Sequence, residues 1–113
     1  MNDMQKPQPL LFTLPMRSEK LDTEYFGTVT VSELPVPLLK QFFERQGNTK
    51  DPLRVGYALI CECVTGAHGE RFTPASIDTL PGRVMRDLTS MIDVAQRVNG
   101  LARDEVEKAS PLP

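Results

Sequence analysis

The sequence lacks both a long hydrophobic run and a cluster of basic residues. No apolar run approaches the roughly 18 residues that a membrane-spanning helix needs. The N-terminus, MNDMQKPQPLLFTLPMRSEK, also lacks the basic start and long apolar region of a signal peptide. The 13 Lys and Arg are scattered, and a formal net charge of -2 gives no long-range attraction to phosphate backbones. We therefore predict a soluble, intracellular protein that binds neither membranes nor nucleic acid.

Cysteine and histidine, which most structural zinc sites use, are scarce. The chain has two cysteines, Cys61 and Cys63, and one histidine, His68. On a helix, residues two apart point about 200° apart, so these thiols would not share a tetrahedral metal. On a strand they would share a face, but together with His68 they would leave a structural zinc site one ligand short. We therefore expect two packing cysteines in a reducing compartment and a histidine exposed in a loop.

Catalytic motifs are absent from the sequence. It contains no glycine-rich phosphate loop, no His-Glu metal helix, no nucleophile elbow and no pair of catalytic carboxylates. The arginines at 83, 86, 97 and 103 are interleaved with acidic residues, which is typical of a solvated helix face rather than a nucleic-acid surface. We predict that the protein is not an enzyme and has no cofactor.

The length of 113 residues fits one domain with one core. We expect a flexible arm at 1–9, a single domain at 10–106 and a flexible tail at 107–113. The apolar runs LLFTL and YFGTVTV predict two strands or a hairpin, separated by the charged segment MRSEKLDTE. The rest of the pattern is helical, so the predicted fold is α+β and predominantly α-helical, with an N-terminal β-hairpin or short strands followed by about four helices.

Two helices are predicted in the middle of the chain. In PVPLLKQFFERQG the apolar residues recur at helical spacing, with Pro37 in the first turn and Gly47 at the end. In NTKDPLRVGYALICECVTG, Asp51 is a plausible N-cap before Pro52. The segment YALICECV is also short and apolar enough for a buried strand. The Asp-Pro start favours the helix.

The C-terminal half predicts a turn at GAHG, a brief extended piece at ERF, a single helical turn opened by Thr73-Pro74, and one long helix. That helix starts at Leu80-Pro81 and is closed by Asn99-Gly100. Its predicted core stripe is Val84, Leu88, Met91, Ile92, Ala95 and Val98. Its predicted solvent face is Arg83, Arg86, Asp87, Ser90, Asp93, Gln96 and Arg97.

The order of these elements resembles the tail assembly chaperones of long-tailed bacteriophages. The resemblance rests on GTVTVSELP, the apolar VGYALICECV, a glycine turn, ERFTPASIDTLPGRVMRDL and a helix ending in AQRVNGL, and it covers roughly 29–106. The sequence departs from the family in having TGAHG where an acidic turn is usual. The positions that match the family pattern are Gly69, Phe72, Thr73, Leu80, Pro81, Asn99, Gly100 and Leu101.

The resemblance implies a small, self-associating protein that binds the tape measure protein. A chaperone of this kind keeps its partner's apolar helices soluble and promotes polymerisation of the tail tube protein around it. It would act in the host cytoplasm during virion assembly and be absent from the mature virion.

Apolarity alone selects the residues that we expect to contact a partner. They are Leu39, Phe42 and Phe43 on the first helix, with Leu11 and Phe12 on the N-terminal arm. The alternative is that these side chains complete the core. Two other functions stay open: a structural virion component, such as a head-tail connector or minor tail subunit, and a small metal- or redox-dependent regulator that uses Cys61, Cys63 and His68.

Overall fold

The computed structural model describes residues 13–101, which form an α+β fold built mainly from helices. The strands are β1 (Ser18–Asp22), β2 (Thr28–Ser32) and β3 (Val64–Thr65). The helices are α1 (Val36–Gln46), α2 (Pro52–Cys63), α3 (Pro74–Asp78) and α4 (Met85–Val98), with a 3₁₀ turn at Gly82–Val84. The predicted fold class is therefore confirmed. No helix within 13–101 has the length and apolarity that crossing a membrane requires.

The three strands form one antiparallel sheet in the order β1, β2, β3. In β1 and β2 the partners run from Ser18 opposite Ser32 to Asp22 opposite Thr28. The predicted strand at LLFTL begins outside the described residues, and its last two, Thr13 and Leu14, are not in a strand.

The charged segment predicted to separate two strands itself contains β1, so that prediction is wrong. An edge strand tolerates charged side chains because its outer border is not covered by another strand. Glu19 of β1 accepts a hydrogen bond from Arg97 Nη2 of α4 at 2.7 Å, which holds the pKa of Glu19 below its usual range. Both side chains of this pair are substantially exposed, so it contributes little stability, but it shows that charge on β1 faces α4.

Helix α2 starts and ends at positions that the sequence marks. Asp51 is its N-cap and accepts from the backbone N–H of Leu53 at 3.1 Å, and Pro52 is its first residue. The helix ends at Cys63, and β3 begins at the next residue, Val64. The segment YALICECV, for which helix and strand were both considered, is therefore helix as far as Cys63 and strand from Val64. Val64 is part of the core.

The core lies where α4 packs on the sheet and on α2. All six residues of the predicted α4 stripe are buried, and so is Val94. Gly56 of α2 allows the two helices to approach closely, because a Cβ added there would lie 2.7 Å from the Cδ1 atom of Ile92. From the other elements, the core receives Val29, Val31, Phe42, Leu59, Ile60, Cys63, Val64 and Ile77.

Asp87 was predicted to face solvent, and this is wrong. Its side chain is buried in the first turn of α4. Oδ1 accepts from the backbone N–H of Glu24 at 3.1 Å, and Oδ2 accepts from that of Tyr25 at 2.8 Å. These donors lie in the turn between β1 and β2, so Asp87 connects that turn to the start of the helix. A helical periodicity cannot reveal a backbone partner 62 residues away in sequence.

The C-terminal end of α4 is attached to the other end of the hairpin. Gly100 has a φ of 71°, and the N–H of Leu101 bonds to the carbonyl of Gln96 at 2.7 Å, which confirms the predicted Asn-Gly closure. Asn99 accepts from the N–H of Leu34 at 2.9 Å. Arg17 donates through Nη2 to the carbonyl of Val98 at 2.6 Å. Both ends of α4 are therefore fixed by polar contacts to the sheet segment.

Leu88 should tolerate a charge poorly because it lies in the middle of the buried stripe and is only 4% exposed. We expect Leu88→Asp to abolish cooperative thermal unfolding, since an unpaired carboxylate would replace a side chain whose burial contributes about 1.5–3 kcal/mol. Thr89→Asp places the same charge on the exposed neighbouring position and should melt nearly as the wild type. A cooperative wild-type melt for Leu88→Asp would show that the stripe is not core.

Asp87 should stabilise the fold through its two backbone partners. We expect Asp87→Ala to lower the free energy of unfolding by on the order of 2 kcal/mol, because two partly buried N–H groups lose their acceptor. Asp93→Ala removes an exposed carboxylate from the same helix and should change stability by less than about 0.5 kcal/mol. Equal urea midpoints for the two variants would contradict the assigned role of Asp87.

Candidate partner-binding surface

Helix α1 buries little of its surface in the fold. It has 11 residues, begins after Pro35 and ends before Gly47, whose φ is 56°. Phe42 is its one buried residue. Since most helices in small domains bury a full apolar face, α1 has an unusual amount of side-chain surface to offer to another chain.

Phe42 was predicted to contact a partner, but the structure places it inside the protein. The ring is 1% exposed and belongs to the core cluster. It also packs edge-to-face against Phe43, with ring centroids 5.4 Å apart. In this conformation Phe42 therefore holds α1 on the core, and its surface is not accessible to a partner.

Leu39 and Phe43 do remain at the surface. Phe43 is 47% exposed, and Leu39 is partly buried against the core. Val36, which sequence reasoning did not select, is 80% exposed on the same side. We call Val36, Leu39 and Phe43 the α1 stripe, because their spacing of three and four residues places them on one side of the helix. Val36 is the first residue of the helix, and its spacing of three residues from Leu39 is the sequence signal that could have identified it.

The α1 stripe lines a shallow depression of about 490 Å³. Lys40 and Glu44 line it as well, so charges of both signs flank the apolar side chains. An ion pair of 3.0 Å between Arg45 and Glu62 joins α1 to α2, but both side chains are substantially exposed and such a pair contributes little. The position of α1 therefore depends mainly on Phe42.

The predicted contacts on the N-terminal arm, Leu11 and Phe12, lie outside the described residues. The adjacent described segment also carries exposed apolar side chains. Leu14 is 81% exposed and Met16 is 58% exposed. Contact by the arm therefore stays a prediction.

The two cysteines point to different parts of the protein, as their spacing on a helix predicts. Cys61 is half-buried and lines a groove beside α3, whereas Cys63 is buried and its sulfur lies 3.5 Å from Nδ2 of Asn99. Burial raises the pKa of both thiols, and the charge of Glu62 acts in the same direction. A thiol with a raised pKa is a weaker nucleophile and metal ligand at neutral pH.

His68 is exposed in the turn after β3, as predicted. Its Nδ1 lies 3.5 Å from Oε2 of Glu70, and its backbone N–H donates to Oε1 of Glu70 at 2.7 Å. The backbone N–H groups of Glu70 itself and of His68 lower the pKa of that carboxyl. Residues 13–101 contain no group of three or more His, Cys, Asp or Glu side chains that could hold a metal ion.

Comparison of the chain with protein-family models, with curated proteins and with solved structures gave no match.

The raised thiol pKa values predict a dependence of stability on alkaline pH. Because the folded state holds these protons to a higher pH than the unfolded chain, their stabilising effect is complete below the unfolded pKa of about 8.5. It is lost as pH rises through the folded values. We expect the free energy of unfolding, measured with urea between about pH 8 and 10, to fall more steeply for the wild type than for the double variant Cys61→Ala, Cys63→Ala. Parallel slopes would contradict this assignment.

Proposed function

We propose that this protein is a non-enzymatic tail assembly chaperone, which binds the tape measure protein, keeps it soluble and promotes polymerisation of the tail tube around it. One observation carries the proposal: the apolar α1 stripe lies at the surface on a helix whose one buried residue is Phe42. The resemblance of the sequence to the phage family supplies the identity of the partner. Under this proposal the protein acts in the host cytoplasm.

The positions that match the family have structural roles that fit a scaffold. Gly69 has a φ of 84° in the turn after β3. Thr73 caps α3 in a reciprocal pair with Ser76, whose N–H donates to Thr73 Oγ1 at 3.1 Å. Gly100 closes α4. These residues shape the chain rather than perform chemistry, which supports a role in binding.

The α1 stripe suits the apolar face of a helix from the partner. Two helices pack by placing the side-chain ridges of one into the grooves of the other, and Val36, Leu39 and Phe43 form such a ridge. Lys40 and Glu44 lie beside it and can pair with charges of either sign on the partner helix.

The size of the stripe argues for several copies on one partner. Full burial of an apolar side chain contributes about 1.5–3 kcal/mol, and Leu39 and Phe43 are already partly buried. Association costs about 4–15 kcal/mol in lost freedom of movement. A single stripe is therefore too small for a stable complex, whereas self-associated copies arrayed on a long partner gain from multivalency. Homo-oligomerisation is part of the proposal for this reason.

The proposal predicts that a charge on the α1 stripe abolishes the chaperone effect without unfolding the protein. We expect co-expression with the tape measure protein of the same genome to yield soluble tape measure with the wild type, in an assembly that holds many copies. Phe43→Asp should lose this effect while still unfolding cooperatively, because Phe43 is not a core residue. Loss of its edge contact with Phe42 should lower the melting temperature only slightly. The measurement is affinity capture followed by light scattering.

A matched control is Leu53→Asp on α2, because Leu53 is 44% exposed and Phe43 is 47% exposed. It should support soluble tape measure as the wild type does. If Phe43→Asp also does so, the α1 stripe is not the contact. If tape measure stays insoluble with the wild type, the chaperone function is rejected, and detection of the chain's peptides in mature particles would instead support a virion subunit.

A further inference from the structure

A cleft of about 540 Å³ opens at the sheet, on the side of the protein where β1 turns into β2. One wall is formed by Tyr25 to Val29, and the opposite wall by the turn that follows β3, Gly66 to His68. Glu70, Arg71 and Phe72 complete the lining. None of these residues belongs to the α1 stripe, so this is a separate surface.

The cleft exists because β3 is shorter than β2. Strand β2 has five residues, but β3 pairs only with Thr30 and Val31. At Gly66 the chain turns away from β2, since the N–H of Gly66 bonds to the carbonyl of Glu70 at 2.9 Å. Within the described residues, no strand lies opposite Thr28 on this side.

The hydrogen-bond alternation of the hairpin shows which way the backbone of Thr28 points. The N–H of Thr23 bonds to the carbonyl of Gly27 at 2.9 Å, and the N–H of Glu33 bonds to that of Arg17 at 2.8 Å. In an antiparallel pair every second residue faces its partner strand. Residues 27, 29, 31 and 33 of this segment therefore face β1, and Thr28 directs its N–H and C=O toward the cleft.

The walls of the cleft combine an apolar floor with charged side chains of both signs, Arg71 and Glu70. The Glu70 carboxylate already accepts from a backbone N–H of its own turn, at 2.7 Å. Phe26 and Phe72 meet edge-to-face with ring centroids 5.2 Å apart, and the buried Val29 lies beside them. Arg71 donates from Nη1 to the carbonyl of Glu62 at 3.0 Å. Among the ion pairs of residues 13–101, none joins Arg71 to a carboxylate.

We propose that this cleft binds an extended peptide segment of a partner, which adds to β2 beside Thr28 where β3 stops. Strand addition uses backbone hydrogen bonds for affinity and alternate side chains for specificity. The N–H and C=O of Thr28, for which residues 13–101 provide no backbone partner on this side, supply the backbone contact. An apolar side chain of the peptide packs on Phe26 and Phe72, and an acidic side chain pairs with Arg71. The site does not depend on the proposed chaperone function.

The test uses seven-residue peptides selected from a random displayed library against the full-length protein. We expect the selected peptides to alternate apolar and acidic residues and to slow amide hydrogen exchange of Thr28 by at least tenfold when a synthetic copy is added. The amide of Val29 is an internal control, because it faces β1 and is already paired in the hairpin. Selection of no peptide, or protection that leaves Thr28 unchanged, would overturn the proposal.

Two pairs of variants distinguish the backbone and charge contributions. Thr28→Pro removes the N–H that faces the cleft and should abolish peptide binding, whereas Thr28→Val loses only the hydroxyl bonded to Asp22 and should keep it. Arg71→Glu should shift the selected peptides from acidic to basic residues, while Arg54→Glu, outside the cleft, should not.

If Thr28→Pro fails to fold, the exchange measurement and the Arg71→Glu selection still decide the question, because neither uses that variant. Phe43→Asp on the α1 stripe should leave Thr28 protection unchanged. The experiments therefore distinguish loss of the proposed chaperone function from loss of peptide binding in the cleft.

Discussion

The fold depends on the contact of α4 with the sheet and α2. Its apolar stripe is buried along the whole helix, and Gly56 of α2 lets Ile92 approach the backbone of its neighbour. Polar contacts then fix the register of the helix at both ends: Asp87 holds the turn between β1 and β2, and Arg17 with Asn99 holds the other end. The apolar contact supplies most of the stability, and the polar contacts decide where the helix lies.

The other elements contribute less to the core, because the packing of α4 on the sheet and α2 already forms most of it. Helix α1 is attached mainly through Phe42, so Val36 and Phe43 can stay exposed. Strand β3 is only two residues long, so Thr28 and Val29 of β2 have no partner in β3 and line a cleft. At both proposed binding surfaces, apolar side chains or backbone groups of the protein are left uncovered by the rest of the fold. A helix from a partner suits the first surface, and an extended segment suits the second.

Much of the fold was predictable where a residue acts on its own segment. Asp51 and Pro52 mark the start of α2, and Asn99 and Gly100 mark the end of α4, because caps and turns depend on neighbours within a few positions. The sequence pattern did not predict strand β1, because its mostly charged and polar residues show no clear alternation of apolar and polar positions. In the candidate surface, apolarity selected Leu39, Phe42 and Phe43 together but did not separate the exposed Phe43 and the partly buried Leu39 from the buried Phe42.

The sequence by itself determined the predominantly helical α+β class, the bounds of most helices and the buried stripe of α4, since these follow from local spacing. Only the tertiary structure decided that Asp87 turns inward, that Phe42 is core while Phe43 is not, and that Thr28 faces a cleft. The physical reason is that each of these depends on groups brought together from distant parts of the chain, such as Asp87 and the N–H of Tyr25, 62 residues apart.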